Sequence, residues 1–572
     1  MPDPEEDMSP ARLSRTSGSS RSRHRPLVLW IGALVAAAIL AATCVFFLPS
    51  FRQASPPVAP AALPQYPLSG YFIYASTSAT ANREKLADIR RLGGDTLITF
   101  GTLLRPASRS SLPQDCLIDG TNCADVVARS LKVNRYFTYS DGAQWSGSAL
   151  GCPRDRSLTS NGKTFAVLVF PTDSQGCNSP SGTYDVVVTG GTKSTDSDPT
   201  QTLAAAATEL RMEFYAGLPA PVKRTDLEYL PDLSYTQTLS LFTERFLRFQ
   251  AEKSDVPGLA GFYHHVEMPL SSSPFFDPIL SLYTLQNQSI HKLLPTRSAV
   301  ISPYIESRKS TSFVTPADAG VAIRNIAETS AGLKLNIAIQ DGMGTGKGAA
   351  YLDSEAKTPV DPYAATIVGN GSWQEKYAAP NQDYFRAAAA GIKGTNAVLW
   401  ANLEGMAPAT DKNVCSNSLR GQTTLERIER QLQQMEPATK VISFMWDPYF
   451  TCKGTGTPLM EQMASGFKTP VVTSAAVDRS SDHLTVTGFN IAGGQTTLKW
   501  TSKDGHPREW TTKSPGAARN DVKDPGANSQ LESLEVDLKE ANFDAGTHLK
   551  VDVTNQWGAS QKQEFAEGLI AP

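Results

Sequence analysis

Apolar positions along this chain switch repeatedly between two spacings. A strand-type run at 69–76 (SGYFIYAS) leads into a stretch at 82–92 with Leu86, Ile89 and Leu92 on one helical face, ended by Gly93 and Gly94. The same exchange recurs down the chain. Strand-type runs lie at 95–100, 213–218, 259–267, 299–305, 335–340, 397–404 and 440–446. Helical spacing lies at 201–210, 235–253, 278–294, 316–330, 384–392 and 424–435. Apolar strands separated by amphipathic helices predict parallel pairing, because each connection must cross a face of the sheet. Eight such strands with seven helices between them predict an α/β chain closed into a (β/α)8 TIM barrel over residues 68–466. An open doubly wound sheet is the competing arrangement, but its first turn is normally glycine-rich and here reads ASTSA at 75–79.

Two regions break the rhythm. Residues 101–200, between the second strand and its helix, are rich in Gly and Ser. They contain the β-type runs TFAVLVF (164–170) and YDVVV (184–188), and predict a disulfide-stapled, β-rich insertion on the loop side of the barrel. Residues 467–572 turn to short alternating runs, HLTVTG (483–488), TTLKW (496–500), 531–538 and LKVDVT (549–554), separated by turn residues. They predict a C-terminal β-sandwich of immunoglobulin-like type.

Residues 27–48 carry no charge at all, and at about 1.5 Å per residue they match a bilayer core. Arg12, Arg15, Arg21, Arg23 and Arg25 precede the run and Arg52 alone follows it closely. This predicts one transmembrane signal-anchor helix, a cytoplasmic tail at 1–26, a Pro/Ala-rich linker at 49–67 and an extracytoplasmic body held on the cell membrane. A cleaved signal peptide competes, although its apolar region runs to only about 7–15 residues. Either reading exports the body.

Cysteine usage agrees with export. Cys44 falls in the apolar run, and the remaining six are an even number suited to disulfides. Cys415 and Cys452 follow the adjacent seventh and eighth strands, so they are expected to pair across the rim. Cys116, Cys123, Cys152 and Cys177 pair within the insertion in one of three connectivities. No CxxC pair occurs, so neither a metal site nor a cofactor is expected. A net charge of −3 with 40% hydrophobic and 19% charged residues describes a globular chain and gives no reason to expect nucleic acid as a partner.

In such a barrel, chemistry belongs at the carboxyl ends of the strands. Those ends supply Tyr74, His265, Glu267, Tyr304, Gln340, Asp341, Trp400, Asn402, Glu404, Trp446 and Asp447. Glycoside hydrolysis needs one carboxyl to protonate the leaving oxygen and one carboxylate as nucleophile or base, while sugars stack on aromatic faces and offer hydroxyls to amides. Glu267 is expected as acid/base, Glu404 as nucleophile and Asp341 as a supporting acid. Tyr74, His265, Tyr304, Gln340, Asn402, Trp400 and Trp446 are expected to hold the sugar. His264 and His265 point to opposite sides of their strand, so only one faces inward. The segment GMGTGKG (342–348) imitates a phosphate loop but lacks its first glycine and the hydroxyl residue after the lysine.

The stretches GFYHHVE (261–267), SPY (302–304), IQDGMG (339–344) and LWANLE (399–404) together resemble an uncharacterised bacterial family of TIM-barrel, glycosyl-hydrolase-like domains, a numbered domain of unknown function. The resemblance spans the barrel and implies its fold and sugar chemistry, with a polysaccharide of the envelope or surroundings as substrate. The Asn-Glu pair usual before the acid/base in the wider glycosidase superfamily reads Val266-Glu267 here. A non-catalytic carbohydrate-binding or envelope-scaffold protein is the alternative.

Overall fold

A computed structural model describes residues 66–566, apart from 228–229, 312, 411, 416–419, 455, 467, 479, 514–527, 529, 545–547 and 561–562. Eight parallel strands close into a barrel. They are Gly70–Phe72, Thr96–Ile98, Glu213–Gly217, Leu259–His264, Ser298–Ile301, Leu335–Gln340, Ala397–Glu404 and Val441–Phe444. Closure is made by the first strand, whose Gly70 lies opposite Thr96 on one side and Ile442 on the other.

Helices Ala79–Arg91, Pro199–Leu210, Thr236–Lys253, Asp277–Leu293, Pro316–Glu328, Asn381–Gly391 and Leu425–Gln433 link successive strands. Several begin earlier than apolar spacing alone predicts, because capping residues lie upstream. Ser78 accepts from the Ala81 N–H, and Asp198 accepts from the Gln201 N–H with Pro199 as the first helical residue. Thr315 and Asp318 form a reciprocal capping box.

The barrel interior is filled in layers. At its amino end the rings of Tyr215 and Trp400 meet edge to face at 5.8 Å. Lys440 Nζ closes that end, 5.1 Å from the Trp400 ring and bonded to Asp95 and Glu213 at 3.2 and 3.1 Å. At the carboxyl end Phe72, Phe100, Tyr263 and Phe444 crowd together, with Phe72 lying 5.0 Å from Tyr263 and 5.2 Å from Phe100.

The insertion builds its own sheet from Leu103–Ala107, Lys132–Tyr139, Thr183–Lys193, Lys163–Pro171 and Arg156–Ser160, joined at one edge by Ala220–Pro221. Alternation gives that sheet two apolar faces. Phe165, Val167 and Val169 cover a small core with Cys116 and Cys123. Ala166, Leu168 and Phe170 join the main core, where Trp145 stacks on Phe249 at 5.2 Å. The insertion's cysteines pair as Cys116–Cys123 and Cys152–Cys177, and Cys415 pairs with Cys452 at a Cα separation of 5.7 Å.

Beyond the barrel, the sheet of Val471–Asp478, His483–Phe489 and Glu532–Asp537 faces a second sheet containing Gln495–Thr501 and His548–Asn555. Leu484, Val486, Leu498 and Val551 share the core between them. Gln433 Nε2 donates to the Val472 carbonyl at 3.0 Å, and Thr473 Oγ1 donates to Glu436 at 2.7 Å, tying this sandwich to the last barrel helix region. Among the described residues no helix is long and apolar enough to cross a membrane. The tail at 1–26 and the anchor at 27–48 lie outside the described residues, as does all but the end of the 49–67 linker.

Candidate active site

A cleft of about 780 Å³ opens at the carboxyl end of the barrel. Glu267, three residues past the end of the fourth strand, lines it. Tyr263 Oη donates to Glu267 Oε1 at 2.9 Å. Burial pushes the Glu267 carboxyl up. The Gln340 and Tyr263 hydrogen bonds and the Lys347 charge oppose that shift, and the Glu404 charge adds to it.

Glu404 ends the seventh strand and is only 3% exposed. Its Oε2 accepts the Thr345 N–H at 2.7 Å and its Oε1 accepts the Thr345 hydroxyl at 3.3 Å. Burial raises this carboxyl, while Lys347 and the two Thr345 donors favour its ionised form. Asp341 stands behind it, fully buried. Its Oδ1 accepts the backbone N–H groups of Glu404 and Met343 at 3.1 and 3.2 Å, and its Oδ2 accepts Gln431 Nε2 at 2.6 Å. Burial and then the Glu404 charge push Asp341 up to about 7. It touches the strand end and the adjacent loop rather than the cleft.

That loop is the glycine-rich segment at 342–348. Gly342 and Gly346 take φ of +69° and +71°, and the Lys347 N–H returns to the Gly342 carbonyl at 2.8 Å. A Cβ on Gly344 would lie 2.5 Å from Met406 Cγ and 2.9 Å from Glu404 Cβ. The segment that imitates a phosphate loop is thus the cover over Glu404. It delivers Lys347 to the cleft, with Nζ 3.8 Å from the Tyr304 ring centre. Burial lowers the Lys347 ammonium, and Glu404, Glu306 and Glu267 counter it.

The two histidines divide as their strand requires. His264 is fully buried between Gln286 and Asn287 at 3.0 and 2.9 Å, and burial pushes it down to about 4. His265 lines the cleft. Its Nδ1 is buried without a hydrogen-bond partner, and burial followed by the nearby Lys223 charge lowers its pKa.

The remaining expected residues separate by depth. Tyr304 lines the cleft and Gln340 contacts Glu267. Tyr74 stands exposed at the rim, 5.7 Å from the Phe100 ring. Asn402 lies buried below, its Nδ2 bonded to Ser302 Oγ at 2.9 Å and its Oδ1 without a partner. Trp400 is not brought to the cleft, because it sits four residues before Glu404, in the layer against Tyr215 and Lys440. Trp446 is also elsewhere. It is buried against Tyr71 and Phe450, past the point where the eighth strand ends. Asp447 pairs with Lys85 at 2.6 Å.

Sequence reading passed over Lys347, Arg105, Lys223 and the aromatic floor residues Phe100 and Phe444, all of which line the cleft. Lys347 had a usable signal, a run of glycines directly after a barrel strand. Phe444 had another, the last residue of the eighth strand.

No family model matches the chain, and no curated protein matches it. Among solved structures it is similar to an α-L-fucosidase of Bacteroides thetaiotaomicron described as putative, at 11% identity and a TM-score of 0.39 over 71% of this chain and 94% of that one. It is also similar to an endo-β-1,4-mannanase of Thermotoga petrophila, at 9% identity and 0.39 over 89% and 99%. A family 5 glycoside hydrolase of Bacteroides vulgatus aligns at 9% identity and 0.34 over 82% and 86%. At these scores the likeness adds nothing to the barrel's own topology, and no residue role is drawn from it.

Proposed function

We propose that the chain is a membrane-anchored, extracytoplasmic glycoside hydrolase acting on a cell-envelope or extracellular polysaccharide, of the uncharacterised family it resembles, with an immunoglobulin-like C-terminal domain. The observation that carries this reading is the pair Glu267 and Glu404, one three residues past the fourth strand and one at the end of the seventh, both beside the Lys347 charge. Glu267 faces the cleft with a raised pKa, as a proton donor to a glycosidic oxygen must. Glu404 receives a backbone N–H and a neighbouring ammonium, which favour a carboxylate able to attack the anomeric carbon. Attack forms the glycosyl ester as Glu267 protonates the leaving oxygen. Water, deprotonated by the now ionised Glu267, then breaks the ester with net retention. Phe100, Phe444 and Tyr304 offer the sugar apolar faces, and Tyr263 and Gln340 hold Glu267 in place.

The test is release of new reducing ends from envelope polysaccharides by the full chain in detergent. Cleavage by the wild type that falls by orders of magnitude in both Glu267→Gln and Glu404→Gln supports the mechanism; full activity in both variants overturns it. A second reading, a carbohydrate-binding protein without turnover, is favoured by one observation. Thr345 occupies both Glu404 oxygens under the 342–348 loop, so catalysis requires that loop to yield.

A further inference from the structure

Charge in the cleft is unevenly matched. Among the described residues that line it, Glu267 is the one acid, against three cations brought from three separate elements. Lys347 comes from the loop after the sixth strand and is engaged by glutamates. Arg105 comes from the first strand of the insertion, and Lys223 from the segment after the third barrel strand. Nearby cations show what satisfied partners look like here, since Arg224 pairs with Asp226 and Arg308 with Glu306. Among the described residues neither Arg105 nor Lys223 is in an ion pair.

Arg105 also lines a second recess of about 380 Å³, with Thr102, Thr138 and Ser140, that shares Leu103, Arg105 and His265 with the first. The walls of the two recesses thus combine Arg105 and Lys223, hydroxyl groups and a buried, unpartnered His265 Nδ1. Scattered surface cations are normally solvated and mean little. These two converge on one concavity beside Glu267, where fixed positive charge concentrates an anion.

We infer that the glycan held in this cleft is acidic, with a negatively charged ring substituent bound against Arg105 and Lys223 on the insertion side of Glu267. This rests on the reading of the cleft as a glycan site and adds the substrate's charge class. A carboxylate and a sulfate share the chemistry, since the guanidinium fork and the ammonium pair with either.

The experiment measures binding to the full-length Glu404→Gln chain in detergent by calorimetry, using two matched pairs of oligosaccharides. One pair is oligogalacturonate and its carboxyl-reduced form. The other is sulfated galactan and its desulfated form. The charged member of one pair is expected to bind at least tenfold tighter than its neutral partner, weakening as salt rises, and the pair that responds identifies the anion. Adding Arg105→Gln and Lys223→Gln, both at exposed positions, is expected to bring that ratio within about twofold. Arg105→Lys with Lys223→Arg is expected to retain the preference.

Equal binding of charged and neutral members, binding of neither pair, or a preference untouched by the double Gln variant overturns the inference. Its failure is separable from that of the hydrolase reading. Wild-type cleavage of neutral glycans alone removes the acidic-substrate inference and leaves the hydrolase. Charge-selective binding without any cleavage removes the hydrolase and leaves the inference.

Discussion

At the scale of single residues, the candidate site gives three carboxyls different surroundings, Asp341 and Glu404 buried and Glu267 facing the cleft. On the proposed hydrolase reading, Glu267 must hold its proton until the leaving oxygen takes it. Activity is therefore expected to fall as pH rises through the raised Glu267 value, and Glu267→Gln should abolish that alkaline limb along with about 10²–10⁴-fold of the rate. A pH profile of kcat/KM on wild type and variant checks this. Asp341 makes a stability statement instead. Its folded value near 7 exceeds its ordinary 3.8, so its contribution to stability is full below about pH 4 and is lost as pH rises through 7. Asp341→Asn should flatten the dependence of Tm on pH between 5 and 8. The Gln431 Oε1, buried and without a partner, becomes available to accept from the new amide once the Gln431 side chain turns over. The acids stood out in the sequence because strand ends could be located. The tryptophans did not sort correctly, because alternation reports which side of a strand a residue faces and not its depth. Trp400 shares Glu404's side but lies about 13 Å further down the strand.

At the scale of elements, the decisive piece is the loop at 342–348. Its glycines let the backbone lie against Glu404, and a methyl group at Gly344 has no room between Met406 and the Glu404 stem. Gly344→Ala should lift the loop at a cost of about 1–3 kcal/mol of stability and, by withdrawing the Thr345 N–H from Glu404, raise turnover despite the lower Tm. Activity assays paired with thermal melts check this, and unchanged turnover would show that Thr345 does not tune the acid. Strands and helices were legible from their periods alone, because each helix needs one apolar stripe and each buried strand a continuous run. The loop was not, because its glycines fit two structural explanations and only the contact with the seventh strand chooses between them. The insertion's β character was readable from TFAVLVF, whereas its contribution of Arg105 to the cleft depends on a long-range approach that no local pattern carries.

At the scale of the whole molecule, covalent links and strand order set how the parts hold together. Cys415 and Cys452 bridge the loops after the seventh and eighth strands across a separation of 37 residues. Replacing both with Ser is expected to cost about 3–4 kcal/mol by chain entropy, and differential scanning calorimetry of the double variant measures it. The closed strand order has a consequence for how the protein is made. Gly70–Phe72 needs Val441–Phe444 as its second neighbour, so a chain emerging from a ribosome or translocon leaves that edge bare until more than three hundred further residues have appeared. The buried residues of the insertion's small core all lie between Leu112 and Val188. It can settle while the barrel around it is still an unfinished sheet, whereas the opposite face, with Ala166, Leu168 and Phe170, waits for the main core it joins.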